Sequence, residues 1–172
     1  MRNGRGGFFP PTIVNNLMKI NRLFLTILGL FLFSFAAMAQ SMAPALKAYY
    51  GVKNALVATD GAKTKAQAST LVNTLSNVNA ATLKTYDRKA LASARASALV
   101  ISKTGDVAAQ RKEFKILSTN MIALAKATKP AKTYVQYCPM VKASWLSERK
   151  DVKNPYYGND MLTCGSTKEV IE

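Results

Sequence analysis

Four apolar stripes at helical spacing, each closed by a turn signal, fill residues 43–128 and constrain what this chain can fold into. Leu46, Tyr49, Val52 and Leu56, with Lys53 alongside, make the first stripe, which ends at Thr59-Asp60-Gly61. Ala68, Leu71, Val72, Leu75 and Val78 make the second, ending in the stretch 77–80. Leu91, Ala94, Ala98 and Ile101 make the third, closed by Lys103-Thr104-Gly105. Val107, Phe114, Leu117, Met121 and Leu124 make the fourth, ending before Pro130. Asp106 suits the start of that last helix, because its carboxylate can accept from unpaired N–H groups there. No alternating run competes, and the Ala, Leu, Lys and Gln content favours helix. Short connections predict antiparallel neighbours. The expected fold is therefore all-α, an up-down-up-down four-helix bundle over 40–129. Ala90, Ala92, Ala94, Ala96 and Ala98 would let the third helix approach its neighbours closely.

After Pro130 the composition changes. Residues 130–172 hold both Cys, the only Trp and four of the seven Tyr. Tyr134 to Met140 alternates like a short strand, with Pro139 confining it to an edge or a strand end. Asn154-Pro155 and Gly158-Asn159-Asp160 are turn signals flanking Tyr156-Tyr157. The expectation is an irregular, aromatic-anchored cap, with room for a small β-ribbon, packed on the bundle as part of one domain.

The amino-terminal region is of another kind. Six of the seven Phe lie in the first 35 residues, which contain no acidic side chain. Lys19 and Arg22 precede an apolar run from Leu23 to Ala39 that closes on Ala37-Met38-Ala39. Basic residues, an apolar stretch and an Ala-x-Ala exit predict a signal peptide over 18–39, cleaved after Ala39. The expected destination is periplasmic or secreted, with no stable membrane span after cleavage. Residues 1–17, with two Pro and three Gly, fit no part of a signal peptide and are read as a non-native upstream extension.

The chain from Gln40 onward has 133 residues, with 20 Lys and Arg against 9 Asp and Glu. That is one domain's worth of core. The Lys are scattered, with no block of like charge and no stacking aromatics between them, so nucleic acid is not the expected partner. The sequence contains no His. Ser-His-Asp and Cys-His catalysis and imidazole-bound zinc are thereby excluded. Ser and Lys are plentiful without an accompanying base or oxyanion hole, and the reading is that the protein is not an enzyme.

What chemistry remains lies in Cys138-Pro139-Met140 and Met161-Leu162-Thr163-Cys164. In an extended segment, positions i and i+2 face one side, so Cys138 and Met140 can present two sulfurs together. If the turns near Pro155 and Gly158 fold the halves back, Met161 and Cys164 join them. Two thiolates and two thioethers select a soft cation, and Cu(I) matches best, in metal handling or resistance. The competing reading is a Cys138–Cys164 disulfide, the common fate of two Cys in an exported chain, in a metal-free interaction module. The two readings exclude each other at any instant, and both stay open.

The string YVQYCPM…WLSERKDVKNPYYGNDMLTCG resembles the carboxy-terminal signature of a bacterial family of secreted domains of unknown function. That family occurs alone or fused to the periplasmic adaptor subunits of copper and heavy-metal efflux systems. The shared features are Cys138–Met140, Trp145-Leu146, Asn154–Gly158 and Met161–Gly165, with Arg111, Phe114, Leu117 and Ser118 on the preceding helix. The resemblance implies metal binding or delivery near Cys-Pro-Met, with efflux components as partners. Related Cys-Pro-Met modules often continue into a His, where this chain has Val141.

Overall fold

The boundaries of the four helices follow from local chemistry. The computed structural model describes residues 41–172; the expected signal peptide and the segment 1–17 lie outside the described residues. Helix α1 (Ala43–Val57) carries Pro44 in its first turn, where a missing N–H costs nothing. Asp60 caps α2 (Gly61–Ser76), its Oδ1 accepting from the Lys63 N–H at 2.8 Å. Helix α3 (Thr85–Lys103) follows a short 3-10 turn, Ala80–Thr82. Asp106 caps α4 (Val107–Thr128) as expected, accepting from the Ala108 N–H at 2.9 Å. Lys129 then turns left-handed and Pro130 prevents continuation.

Helices adjacent in sequence pack side by side, and α1 returns to meet α4. Gly51 of α1 lies against Gln67 of α2, and Asn120 of α4 donates to Ser93 of α3. Tyr49 and Leu56 of α1 meet Ser118 and Arg111 of α4, in that descending order, so these neighbours run antiparallel. The buried face is the set of stripes seen in the sequence, from Leu46 and Tyr49 through Leu71, Leu91 and Ile101 to Phe114, Leu117 and Met121. On α3, Ala90, Ala94 and Ala98 are buried, whereas Ala92 and Ala96 face solvent.

Two side chains close the helix ends across the chain. Helix α2 has no glycine at its end, so its last carbonyls depend on Arg95 of α3. The guanidinium donates to Leu75 O twice, at 2.9 and 2.6 Å, and to Val78 O at 3.2 Å. Gln110 joins the α1–α2 and α3–α4 turns by donating to Gly61 O and Thr104 O. Its own carbonyl oxygen is buried without a partner among the described residues. Removing the guanidinium with Arg95→Ala should cost about 1–2 kcal/mol in urea denaturation, with an unchanged m-value.

The small β element that the sequence allowed for in the cap is present, as a regular three-stranded sheet beside a mostly helical body. Strands β1 (Thr133–Cys138), β2 (Ala143–Ser147) and β3 (Ser166–Ile171) form an antiparallel sheet in the order β2-β1-β3. Strand β1 stops before Pro139, so the proline sits in the turn and β1 can take the centre with both edges paired. Strand β2 lies on α4, and its Trp145 and Leu146 are fully buried. An aromatic relay joins the layers: Tyr49 stacks on Phe114 at 5.3 Å, Phe114 meets Tyr156 at 5.7 Å, and Tyr156 meets Trp145 edge-on at 5.9 Å. The Tyr49 hydroxyl, at 2.7 Å from Ser118, also accepts the Leu146 N–H at 3.1 Å. Among the described residues, no helix is long and apolar enough to cross a membrane.

Candidate functional site

The two cysteines meet at the open end of the sheet. Cys138 is the last residue of β1, opposite Ala143 of β2, and the intervening turn needs Lys142 in the left-handed region. Cys164 lies two residues before β3, whose first residue, Ser166, pairs with Tyr137. This register sets the Cys138 and Cys164 sulfurs 2.6 Å apart.

Gly165 makes that approach feasible. Its φ is +141°, and a Cβ there would sit 2.9 Å from Tyr137 O and 3.0 Å from the Trp145 ring. Asn154, fully buried, holds the other side of the loop. Its Nδ2 donates to Cys164 O at 3.0 Å, its backbone N–H donates to Leu162 O, and its Oδ1 accepts from the Tyr156 N–H. Arg111 ties the same loop to the helices, donating to Pro155 O at 3.0 Å and to Leu56 O and Thr59 Oγ1. Gly158 is left-handed, and a Cβ would fall 2.5 Å from Thr59 Oγ1. Trp145 is buried beneath, its Nε1 donating to Gln136 Oε1 at 3.0 Å. Trp145, Asn154, Pro155 and Gly158 are thus accounted for by what they hold in place.

The two thiols are not equivalent. Burial pushes Cys138 up, but hydrogen bonds from Cys164, from the Val141 and Met140 N–H groups and from Asn154 outweigh it and bring Cys138 below the ordinary thiol range. Cys164 moves the other way: the hydrogen bond it gives to Cys138 raises it, with burial and the neighbouring charge adding to the rise.

The thioethers stand differently from the thiols. Because β1 ends at Cys138, Met140 belongs to a turn and not to an extended segment, and it is 62% exposed. Met161 closes the 3-10 turn Gly158–Met161 and is half-buried, its carbonyl accepting from the Cys164 N–H at 3.0 Å. No group of three or more Cys, Asp or Glu suited to a metal occurs among the described residues. Two thiolates sharing one ion at about 2.3 Å each stand roughly 3.8 Å apart in tetrahedral geometry. The donor set therefore suits a soft ion chemically, but the sulfurs, closed on each other, must separate by about 1 Å to hold one.

A family model described as a protein of unknown function (DUF3347) matches residues 45–133, just over half of the chain. The chain belongs to that family. The DUF3347 match begins in α1 and ends at Thr133, the first residue of β1, so it covers the four helices and stops short of both cysteines. Neither a curated protein nor a solved structure matched the chain.

The sequence pointed to Cys138 and Cys164 by composition, but not to the groups that tune them. The Met140 and Val141 amides follow the strand end that Pro139 marks. A Cys-Pro pair at the end of a β pattern was the available signal. Asn154 stood out by its turn propensity and its place in the resemblance, neither of which points to its bond with the Cys164 carbonyl.

Proposed function

We propose that this DUF3347 member is an exported, non-enzymatic binding module, an up-down helical bundle whose sulfur-bearing cap is locked by a Cys138–Cys164 disulfide. The observation that carries this reading is the 2.6 Å separation of the two sulfurs. In an oxidising compartment, a thiol pair held this close passes two protons and two electrons to a protein disulfide donor and becomes a cystine. The bridge fastens the loop 154–165 to the centre of the sheet. The test is a thiol count on protein isolated without reductant. Maleimide should add to neither Cys before reduction and to both after it; full labelling before reduction overturns the reading.

A second reading is favoured by the amides on Cys138, which stabilise its thiolate. In the reduced state Cys138 and Cys164 would hold a soft cation, Cu(I), with Met140 and Met161 near enough in sequence to add thioether ligands. This is the reading consistent with a role beside metal-efflux components. Titration of the reduced protein with Cu(I) against a competing chelator should give one ion per chain, lost in the Cys138→Ser/Cys164→Ser double variant. Undiminished binding in that variant refutes it.

A further inference from the structure

A cleft of about 260 Å³ opens between α4 and the β1–β2 hairpin, beside the thiol pair but separate from it. Lys115, Thr119 and Ile122 of α4 and Tyr137, Lys142 and Ser144 of the hairpin line it. A third ammonium, that of Lys168, sits 5.9 Å over the Tyr137 ring. The ion pairs among the described residues use Lys53, Lys126 and Lys132, so none of these three lysines has a carboxylate partner there. Lys115 instead donates to Val141 O at 3.1 Å, which holds its charge at the cleft wall. Two exposed apolar side chains lie close by in sequence: Ile116, next to Lys115 on α4, and Met140, two residues before Lys142 in the hairpin turn.

We infer that this cleft docks an extended, acidic segment of a partner protein, with carboxylates on Lys115 and Lys142 and apolar residues on Ile116 and Met140. Charge complementarity selects the occupant: two ammonium groups gathered in one cleft without a carboxylate partner match closely spaced carboxylates. The shape favours a chain over a lipid surface, because the lysines line a concavity between a helix and a hairpin instead of projecting from a convex face. The inference is independent of the oxidation state of the cysteines.

The test is fluorescence anisotropy on the full protein, with a short labelled peptide alternating Glu and Leu and its Gln-for-Glu counterpart. The Glu peptide should bind at physiological salt, and the Gln peptide about tenfold more weakly. Lys115→Glu/Lys142→Glu should weaken the Glu peptide by more than about tenfold, and Lys115→Gln/Lys142→Gln by a smaller factor, at unchanged melting temperature. Lys65→Glu/Lys89→Glu, the same charge change on the exposed faces of α2 and α3, should leave binding within about twofold. Equal losses in the two charge-reversal proteins would show general attraction and overturn the inference. So would failure of the Glu peptide to bind, or capture of anionic phosphatidylserine vesicles in its place.

Discussion

Replacing Cys164 by Ser lowers the melting temperature of the oxidised protein by roughly 10 °C and leaves that of the reduced protein nearly unchanged. The effect arises in the unfolded chain. A bridge between positions 26 apart removes loop-closure freedom that, in the chain-entropy model, stabilises the fold by about 3.5 kcal/mol. A single domain of this size converts that into a shift on the order of 10 °C. Cys138→Ser should behave alike in the oxidised comparison, since either change removes the bridge. The reduced comparison is the informative control. In Cys164→Ser the new hydroxyl would still hydrogen-bond to Cys138, so little native contact is lost. A large drop under reducing conditions would mean that packing, not the cross-link, was at stake. If wild type and Cys164→Ser melt together without reductant, the pair is not bridged and the dithiol reading gains.

That comparison rests on a site whose members were legible in the sequence while their arrangement was not. The four helices were readable because each buries a stripe against its neighbours, and because Asp106 marks one of the starts by side-chain chemistry; the matching cap at Asp60 was read only as the end of the stripe before it. The strands were harder. Strand β3 reads STKEVI and buries only Ile171, so no apolar face announces it; it is a strand because β1 offers a ladder. In β2, Trp145 and Leu146 are adjacent and both buried, which breaks the alternation by which strands are recognised. Arg95 and Arg111 serve carbonyls 17 to 55 residues away, a role invisible to any local pattern. The sulfur pair depends on such distant terms too: the β1–β3 register and the space Gly165 leaves against Tyr137 O. Pro139 marks the strand end, one of its two expected places, but one step earlier than the strand drawn to Met140. By ending β1 it put Met140 in a turn, where alternation no longer governs its direction.

Lys53 shows the same limit inside the helical stripes, and it yields the other large effect. Its place beside Val52 on an apolar face leaves it only 3% exposed, with Nζ 3.0 Å from Glu148 Oε2 at the end of β2. Asn54 donates to the other carboxylate oxygen at 3.0 Å. Burial lowers Lys53 below the ordinary lysine range, against the pull of Glu148. Burial acts to raise Glu148, but hydrogen bonds from Asn54, its own backbone and Lys53, with the Lys53 charge, bring it below the ordinary carboxylate range. Glu148→Ala should therefore cost about 2 kcal/mol at neutral pH, less than the 3–5 of a fully buried pair because Glu148 is a third exposed. Much of that cost is the ammonium left without a partner. Adding Lys53→Met should recover most of it, since an apolar side chain of similar length suits the site. The pH dependence separates the two groups. The Glu148 contribution is full above its unfolded pKa and is lost as pH falls through its lower folded value, so wild type should weaken in acid below about pH 4.5 and Glu148→Ala much less. A lysine with a lowered folded pKa penalises the fold while both states are protonated, and the penalty fades once the folded state loses its proton. Glu148→Ala should accordingly regain stability between neutral pH and about pH 10, and the double variant should not. Urea midpoints at acidic, neutral and alkaline pH for the three proteins check every arm. A Glu148→Ala protein as stable as wild type throughout would mean that Lys53 finds water in the fold and that the pair does not clamp the sheet to α1.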